Sequence, residues 1–179
     1  ISFWEKKPDK RLVSVEEICE ENYSLSHRPG MLRLYTKKEK ISDCNHCSYF
    51  GIRQKNYAFY AETGMEFEPK QECETAGMVL YQNHENHLRM EIRKRADENY
   101  FVVTACINGE ERILTEKPVG EGRQFFKIRM HCDRQKARIW LFRDGREMLI
   151  AEDISLLPYT TEEAGGFVGC TIGMYASAN

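Results

Sequence analysis

Between Tyr57 and Phe67 the side chains alternate with period two without interruption. Tyr57, Phe59, Ala61, Thr63, Met65 and Phe67 fall on one side, and Ala58, Tyr60, Glu62, Gly64, Glu66 and Glu68 on the other. Successive side chains of a strand point to opposite faces, so this spacing predicts a long strand with one face buried. A helical stripe would have to include the glutamates at any phase, which excludes an amphipathic helix here.

The same period recurs downstream. Leu88, Met90 and Ile92 alternate with Arg89, Glu91 and Arg93. Phe126, Ile128, Met130 and Cys132 alternate with Phe125, Lys127, Arg129 and His131, and Ala137, Ile139 and Leu141 with Arg138, Trp140 and Phe142. Tyr100 to Ile107 reads as a strand that is apolar on both faces, and Ala76 to Tyr81 as another. Asn108-Gly109 and Asp144-Gly145 are hairpin signals, because both central positions of a type I′ turn need positive φ. Arg112 to Thr115 and Met148 to Ala151 are the expected returning arms. Arg28-Pro29-Gly30 is a turn, with Met31 to Tyr35 a short strand after it. Arg11 to Ile18 reads as an edge strand, Lys37 to Ser48 as a polar loop, and Phe167 to Ala176 as the last strand. No long amphipathic helix is predicted. About ten strands with turn signals every 8–12 residues predict an all-β fold, an antiparallel two-sheet β-sandwich.

The 179 residues suffice for one domain with a substantial core, and neither a repeat nor a linker divides 1–179. Lys plus Arg number 26 against 28 Asp plus Glu, and the largest basic cluster is only Arg93-Lys94-Arg95. That balance lacks the basic footprint of a nucleic-acid-binding surface. No run of about 18 apolar residues is present, so no membrane-spanning helix is expected. Ile1 is not a natural start, which points to a piece of a longer chain. The seven cysteines are an odd number scattered along the chain, which suits reduced thiols and a cytoplasmic location.

Several constellations invite chemistry and fall short of it. Cys44-x-x-Cys47 with His46 between lacks a second ligand pair, so it reads as a loop with incidental thiols. His84-Glu85-Asn86-His87 lacks the helical spacing of a zinc protease; it is a hairpin tip, or a polar contact to a sugar or a neighbouring domain. Glu162 and Glu163 are adjacent and do not face each other across a substrate. Gly165-Gly166-x-x-Gly169 lacks the Lys-Ser/Thr of a phosphate loop. No dense Asp/Asn loop suggests calcium. No metal and no cofactor are expected. Trp140, Phe142, Tyr60 and Phe125 lie opposite the core by period-two counting. There they either stack on sugar rings or are buried against another layer, and counting alone leaves both readings open.

Four ordered pieces carry a family resemblance. They are Arg28-Pro29-Gly30-Met31-Leu32-Arg33-Leu34; Arg53-Gln54 before the long strand; Glu62-Thr63-Gly64-Met65-Glu66-Phe67-Glu68-Pro69 with Glu74-Thr75-Ala76-Gly77-Met78-Val79-Leu80-Tyr81-Gln82-Asn83; and Ala164-Gly165-Gly166-Phe167-Val168-Gly169 with Gly173-Met174-Tyr175-Ala176. Over residues 28–95 and 154–177 the chain resembles the C-terminal concanavalin A-like β-sandwich of glycoside hydrolase family 43 β-xylosidases. The resemblance implies a jelly-roll sandwich attached to a catalytic β-propeller that this chain lacks. It implies a parent that releases xylose or arabinose from short oligosaccharides, and no catalytic carboxylate within this chain. It also implies that a sandwich loop, placed at Gly165-Gly166-Phe167, leans over the propeller pocket with its aromatic ring. The alternative for Phe167 is the first core residue of the last strand. Two rival roles for the whole chain are a free-standing carbohydrate-binding module that uses Trp140 or Tyr60, and an oligomerisation module. The expected partners are therefore the propeller of the parent, short xylo- or arabino-oligosaccharides, and a second copy of the chain.

Overall fold

A computed structural model describes residues 1–122 and 124–179. Its strands are β1 (Leu12–Val13), β2 (Tyr23–Ser24), β3 (Arg33–Leu34), β4 (Ser48–Arg53), β5 (Ala58–Phe67), β6 (Glu74–Tyr81), β7 (His87–Arg95), β8 (Glu98–Ile107), β9 (Glu110–Pro118), β10 (Gln124–Asp133), β11 (Lys136–Arg143), β12 (Arg146–Ser155) and β13 (Thr171–Ala178). One helical turn, α1 (Thr161–Ala164), precedes β13. The strands form a seven-stranded sheet in the order β1-β4-β13-β6-β7-β8-β9, a four-stranded sheet in the order β12-β11-β10-β5, and a small β2-β3 ribbon. Every pairing is antiparallel.

The two large sheets bury one face of each against the other. Met78, Leu80, Leu88, Met90, Ile92, Phe101 and Val103 of the larger sheet meet Phe126, Ile128, Met130, Ile139 and Leu141 of the smaller. The alternating sets read in the sequence for β7, β10 and β11 all face this core. Both hairpin dipeptides adopt the expected backbone: φ is 53° at Asn108 and 81° at Gly109, and 49° at Asp144 and 73° at Gly145. The Arg28-Pro29-Gly30 turn closes with the Met31 amide donating to the Arg28 carbonyl at 3.1 Å.

Strand β5 forms as the alternation predicts, but it is the edge of the four-stranded sheet. Phe59, Ala61, Met65 and Phe67 pack only partly against the core, and Tyr57 precedes the strand and is exposed. The predicted edge strand 11–18 is cut to Leu12–Val13, because the chain turns away into a 3-10 turn at Glu20–Asn22.

Strand β4 is absent from the sequence reading. It lies between β1 and β13, and Ser48, Tyr49, Phe50 and Gly51 are all buried, so it shows no alternation. The reason is that the outer face of the seven-stranded sheet is covered as well. Ile41, Cys47, Tyr49, Val79 and Tyr175 form a second apolar cluster there. The segment read as a polar loop supplies the cover, and its Ile41 amide donates to the Tyr175 hydroxyl at 3.2 Å.

The same covered face holds charge. Glu91 is fully buried and pairs with Arg93, and Arg89, itself buried, pairs with Glu111 at 2.6 Å. Two cations against two carboxylates leave this cluster balanced, which is the condition under which ionised groups tolerate burial.

Candidate functional site

The loop between α1 and β13 is built from glycines and held by side chains of a neighbouring turn. Gly165 and Gly166 take φ of 73° and 92°, a backbone that other residues adopt only with strain. The chain thereby reverses out of α1 before it can enter β13. Gln82 sits at the end of β6 and points its amide into the loop. Its Nε2 donates to the carbonyl of Gly165 at 3.2 Å and to that of Val168 at 3.0 Å, so one side chain binds both limbs. Asn83 adds a bond from Nδ2 to the Ala164 carbonyl at 3.2 Å. The Cys170 thiol lies 3.0 Å from the Tyr159 carbonyl and 3.4 Å from Gln82 Oε1, which fixes the loop's exit.

Between the two pinned limbs stands Phe167, with a relative exposure of 106%. The sequence reading that starts the last strand at Phe167 is therefore corrected. The strand begins at Thr171, and Phe167 is not a core residue. The carbonyls of Gly165 and Val168 are bound by the Gln82 amide rather than by a sheet ladder. The next side chain, Val168, is also exposed, so the loop presents an apolar tip.

The turn that carries the clamp contains the His84-Glu85-Asn86-His87 motif, and the two histidines separate. His84 is on the exposed tip, while His87 opens β7 and is fully buried beside Tyr81. Burial, followed by the Arg89 cation, pushes His87 down to about 4. The turn is braced by the Asn108-Gly109 hairpin: the Gly109 amide donates to the Glu85 carbonyl at 3.0 Å and the Asn108 amide to Asn86 Oδ1 at 3.0 Å. Gln82 and Asn83 are thus held before they hold the loop. Sequence reasoning singled out the glycines and Phe167 and missed Gln82, whose contact lies 83 residues away along the chain.

Trp140 and Tyr60 are on the other sheet. Tyr60 is exposed and stacks on His131, with ring centroids 4.1 Å apart and planes 7° apart. The two residues are register partners across β5 and β10, which brings the rings together. Trp140 is half-buried and pairs with Arg129 across β10 and β11. Arg129 also lies 4.5 Å from the centroid of the Phe142 ring and 2.7 Å from Glu62. Phe125 is exposed. The period-two facing is thus correct, and these aromatics are not buried against the opposing sheet. Tyr60 borders a groove of 880 Å³ between β4 and β5, together with Ile52, Phe59 and Ile172; residues 165–167 are not part of it. The structure does not bring the Phe167 loop and the Tyr60/Trp140 face into one site.

Comparison with known proteins places this geometry. Residues 1–179 match the family described as beta xylosidase C-terminal concanavalin A-like domain. A xylosidase/arabinosidase of Butyrivibrio fibrisolvens is 43% identical over 179 residues, all of this chain and 34% of the relative. The non-reducing end α-L-arabinofuranosidase BoGH43B of Bacteroides ovatus is 27% identical over 158 residues, 88% of this chain and 29% of the relative. The chain thus spans about a third of the length of these curated relatives. Among solved structures, the Bacteroides ovatus xyloglucan-locus GH43B superposes with a TM-score of 0.92 at 23% identity, over 99% of this chain and 35% of that one. A xylan β-1,4-xylosidase from Bacillus halodurans superposes with a TM-score of 0.90 at 18% identity, over 98% of this chain and 35% of that one. These two likenesses establish a shared fold. The family match extends beyond the segments 28–95 and 154–177 that carry the sequence resemblance. On that full-length match, the chain belongs to the concanavalin A-like C-terminal domain family of glycoside hydrolase family 43 β-xylosidases.

Proposed function

We propose that this sandwich is the non-catalytic accessory domain of a β-xylosidase or α-arabinofuranosidase, which braces a catalytic propeller and offers Phe167 to its sugar pocket. The observation that carries the reading is the fully exposed phenyl ring on a loop whose two limbs are bound by Gln82. An apolar ring held out in water is unfavourable unless something covers it. Ordering the loop in advance lowers the entropy lost when a partner or substrate meets it. A flat apolar face suits the CH face of a pyranose, and a ring at the rim of a pocket excludes water from it. The relatives named as xylosidase/arabinosidase and arabinofuranosidase support the substrate class. The proposed setting is a reducing cytoplasm, on the ground that the seven cysteines are an odd number scattered along the chain.

The test uses the longer enzyme that carries this sandwich. Phe167→Ala is expected to lower kcat/KM for aryl xylosides or arabinosides by about tenfold or more, the equivalent of about 1.4 kcal/mol of transition-state binding, with an unchanged melting temperature. The 179-residue chain alone is expected to hydrolyse neither. Wild-type kinetics in the variant, or activity in the isolated sandwich, would sink the reading.

One observation favours a second role. The exposed Tyr60–His131 stack is a platform of the kind on which sugar-binding modules seat a ring. Calorimetry of the isolated chain with xylo-oligosaccharides separates the two roles. Binding that Tyr60→Ala abolishes supports the module, and no heat supports the accessory domain.

A further inference from the structure

The antiparallel pairing of β1 with β4 aligns Val13 with Gly51. Chain leaving β1 therefore runs beside chain entering β4. Residues 16–19 are brought against residues 44–47, and side chains remote in sequence converge. Cys19 Sγ lies 3.4 Å from His46 Nδ1. A carboxylate oxygen of Glu17 joins them, so that all three donor atoms lie within 4.8 Å of one another. The other ring nitrogen, His46 Nε2, is 3.4 Å from the Glu16 carboxylate.

We propose that Glu17, Cys19 and His46 form a divalent metal site of zinc type, with Glu16 as the carboxylate that orients the histidine. Thiolate, imidazole and carboxylate are the donors zinc takes, and bond lengths of about 2.3 Å to sulfur and 2.0–2.1 Å to nitrogen at a tetrahedral angle separate the two atoms by about 3.6 Å. The observed sulfur–nitrogen distance is close to that. Metal-bound histidines characteristically give their second N–H to a carboxylate, which sets the tautomer and aims the free lone pair at the metal. Glu16 occupies that position, on the side of the ring away from Cys19.

The backbone around the ligands is fixed. The Asn22 side-chain Nδ2 donates to the His46 carbonyl at 3.2 Å, and the His46 backbone amide to Asn45 Oδ1 at 2.8 Å. Cys19 occupies the N-cap position of the 3-10 turn at Glu20–Asn22, its carbonyl accepting from the Asn22 backbone amide at 3.0 Å. Glu17 is exposed and Cys19 and His46 only half-buried, so a metal has access and water takes the fourth position. Binding takes Cys19 as its thiolate and replaces the sulfur–imidazole contact with a cross-link between residues 17–19 and 46. The sequence reading set His46 beside Cys44 and Cys47. Cys47 is instead buried in the outer apolar cluster, and the residue that meets the ring is Cys19, 27 positions away.

The experiment titrates the chelator-treated chain with Co²⁺ and then displaces the cobalt with Zn²⁺. The expected result is about one cobalt per chain, with a thiolate-to-cobalt charge-transfer absorption that zinc abolishes. Cys19→Ser and His46→Asn are expected to remove the absorption, and Cys44→Ser to keep it. Glu16→Gln is expected to weaken cobalt affinity about 10–100-fold. Glu17 is exposed, so Glu17→Gln leaves the fold intact, and it is expected to weaken binding at least about tenfold. Absence of the charge-transfer band in the parent chain would reduce the cluster to a thiol–imidazole hydrogen bond and overturn the proposal. So would a band that survives Cys19→Ser, or an affinity unmoved by Glu17→Gln.

Discussion

Gln82 Nε2 donates to the Val168 carbonyl at 3.0 Å while also reaching the Gly165 carbonyl, so one amide spans the Gly166-Phe167 tip. Gln82→Ala removes both bonds and leaves two carbonyls to find water. The expected cost is about 1–3 kcal/mol of stability. Hydrogen exchange should accelerate selectively at residues 165–169 while the sheets keep their protection.

The same tip separates conformational from contact effects. Gly166→Ala forces a β-carbon onto a φ of 92° and should cost about 1–2 kcal/mol in denaturant unfolding. Phe167→Ala should leave the unfolding midpoint of the isolated chain within about 0.5 kcal/mol of the parent, because the ring is in solvent.

Removing Glu91 should be far more damaging than its charge alone suggests. It is fully buried and serves Arg93, with Arg89 3.8 Å away. Glu91→Ala leaves those guanidinium groups without their central carboxylate, and a loss of about 3–5 kcal/mol in urea unfolding is expected.

His87 makes stability depend on pH. Its folded value, about 4, lies below its ordinary 6.5, so between these limits the unfolded chain takes up a proton that the folded chain refuses. Stability should therefore fall as pH drops from about 6.5 to about 4, with a slope of up to about 1.4 kcal/mol per pH unit. Unfolding midpoints measured from pH 7 to pH 5 should show this decline in the parent and a flatter profile in His87→Gln.

The thiols should react in an order set by burial. Burial raises Cys47 and Cys170 to about 12, and both are almost fully enclosed. Cys44 is exposed although only three positions from Cys47. Native labelling with a disulfide reagent, mapped by mass spectrometry, should modify Cys44 in the folded chain and Cys47 and Cys170 only on unfolding.

Local order carried much of this fold. Alternation in β5, β7, β10 and β11 and the Asn-Gly and Asp-Gly turns are properties of neighbouring residues, and a strand's two faces are written in its own period. A half-covered sheet displays that period, and apolar cover on the second face erases it; β7 in the same sheet keeps it because its covered outer side carries Arg89 and Glu91. That is why β4, with Ile41, Cys47 and Tyr175 packed on its outer side, carries no such signal. The exposure of Phe167 depended on Gln82, and the meeting of Cys19 with His46 depended on the register of β1 against β4. Both are contacts between distant parts of the chain, which strand pairing creates and local spacing does not encode.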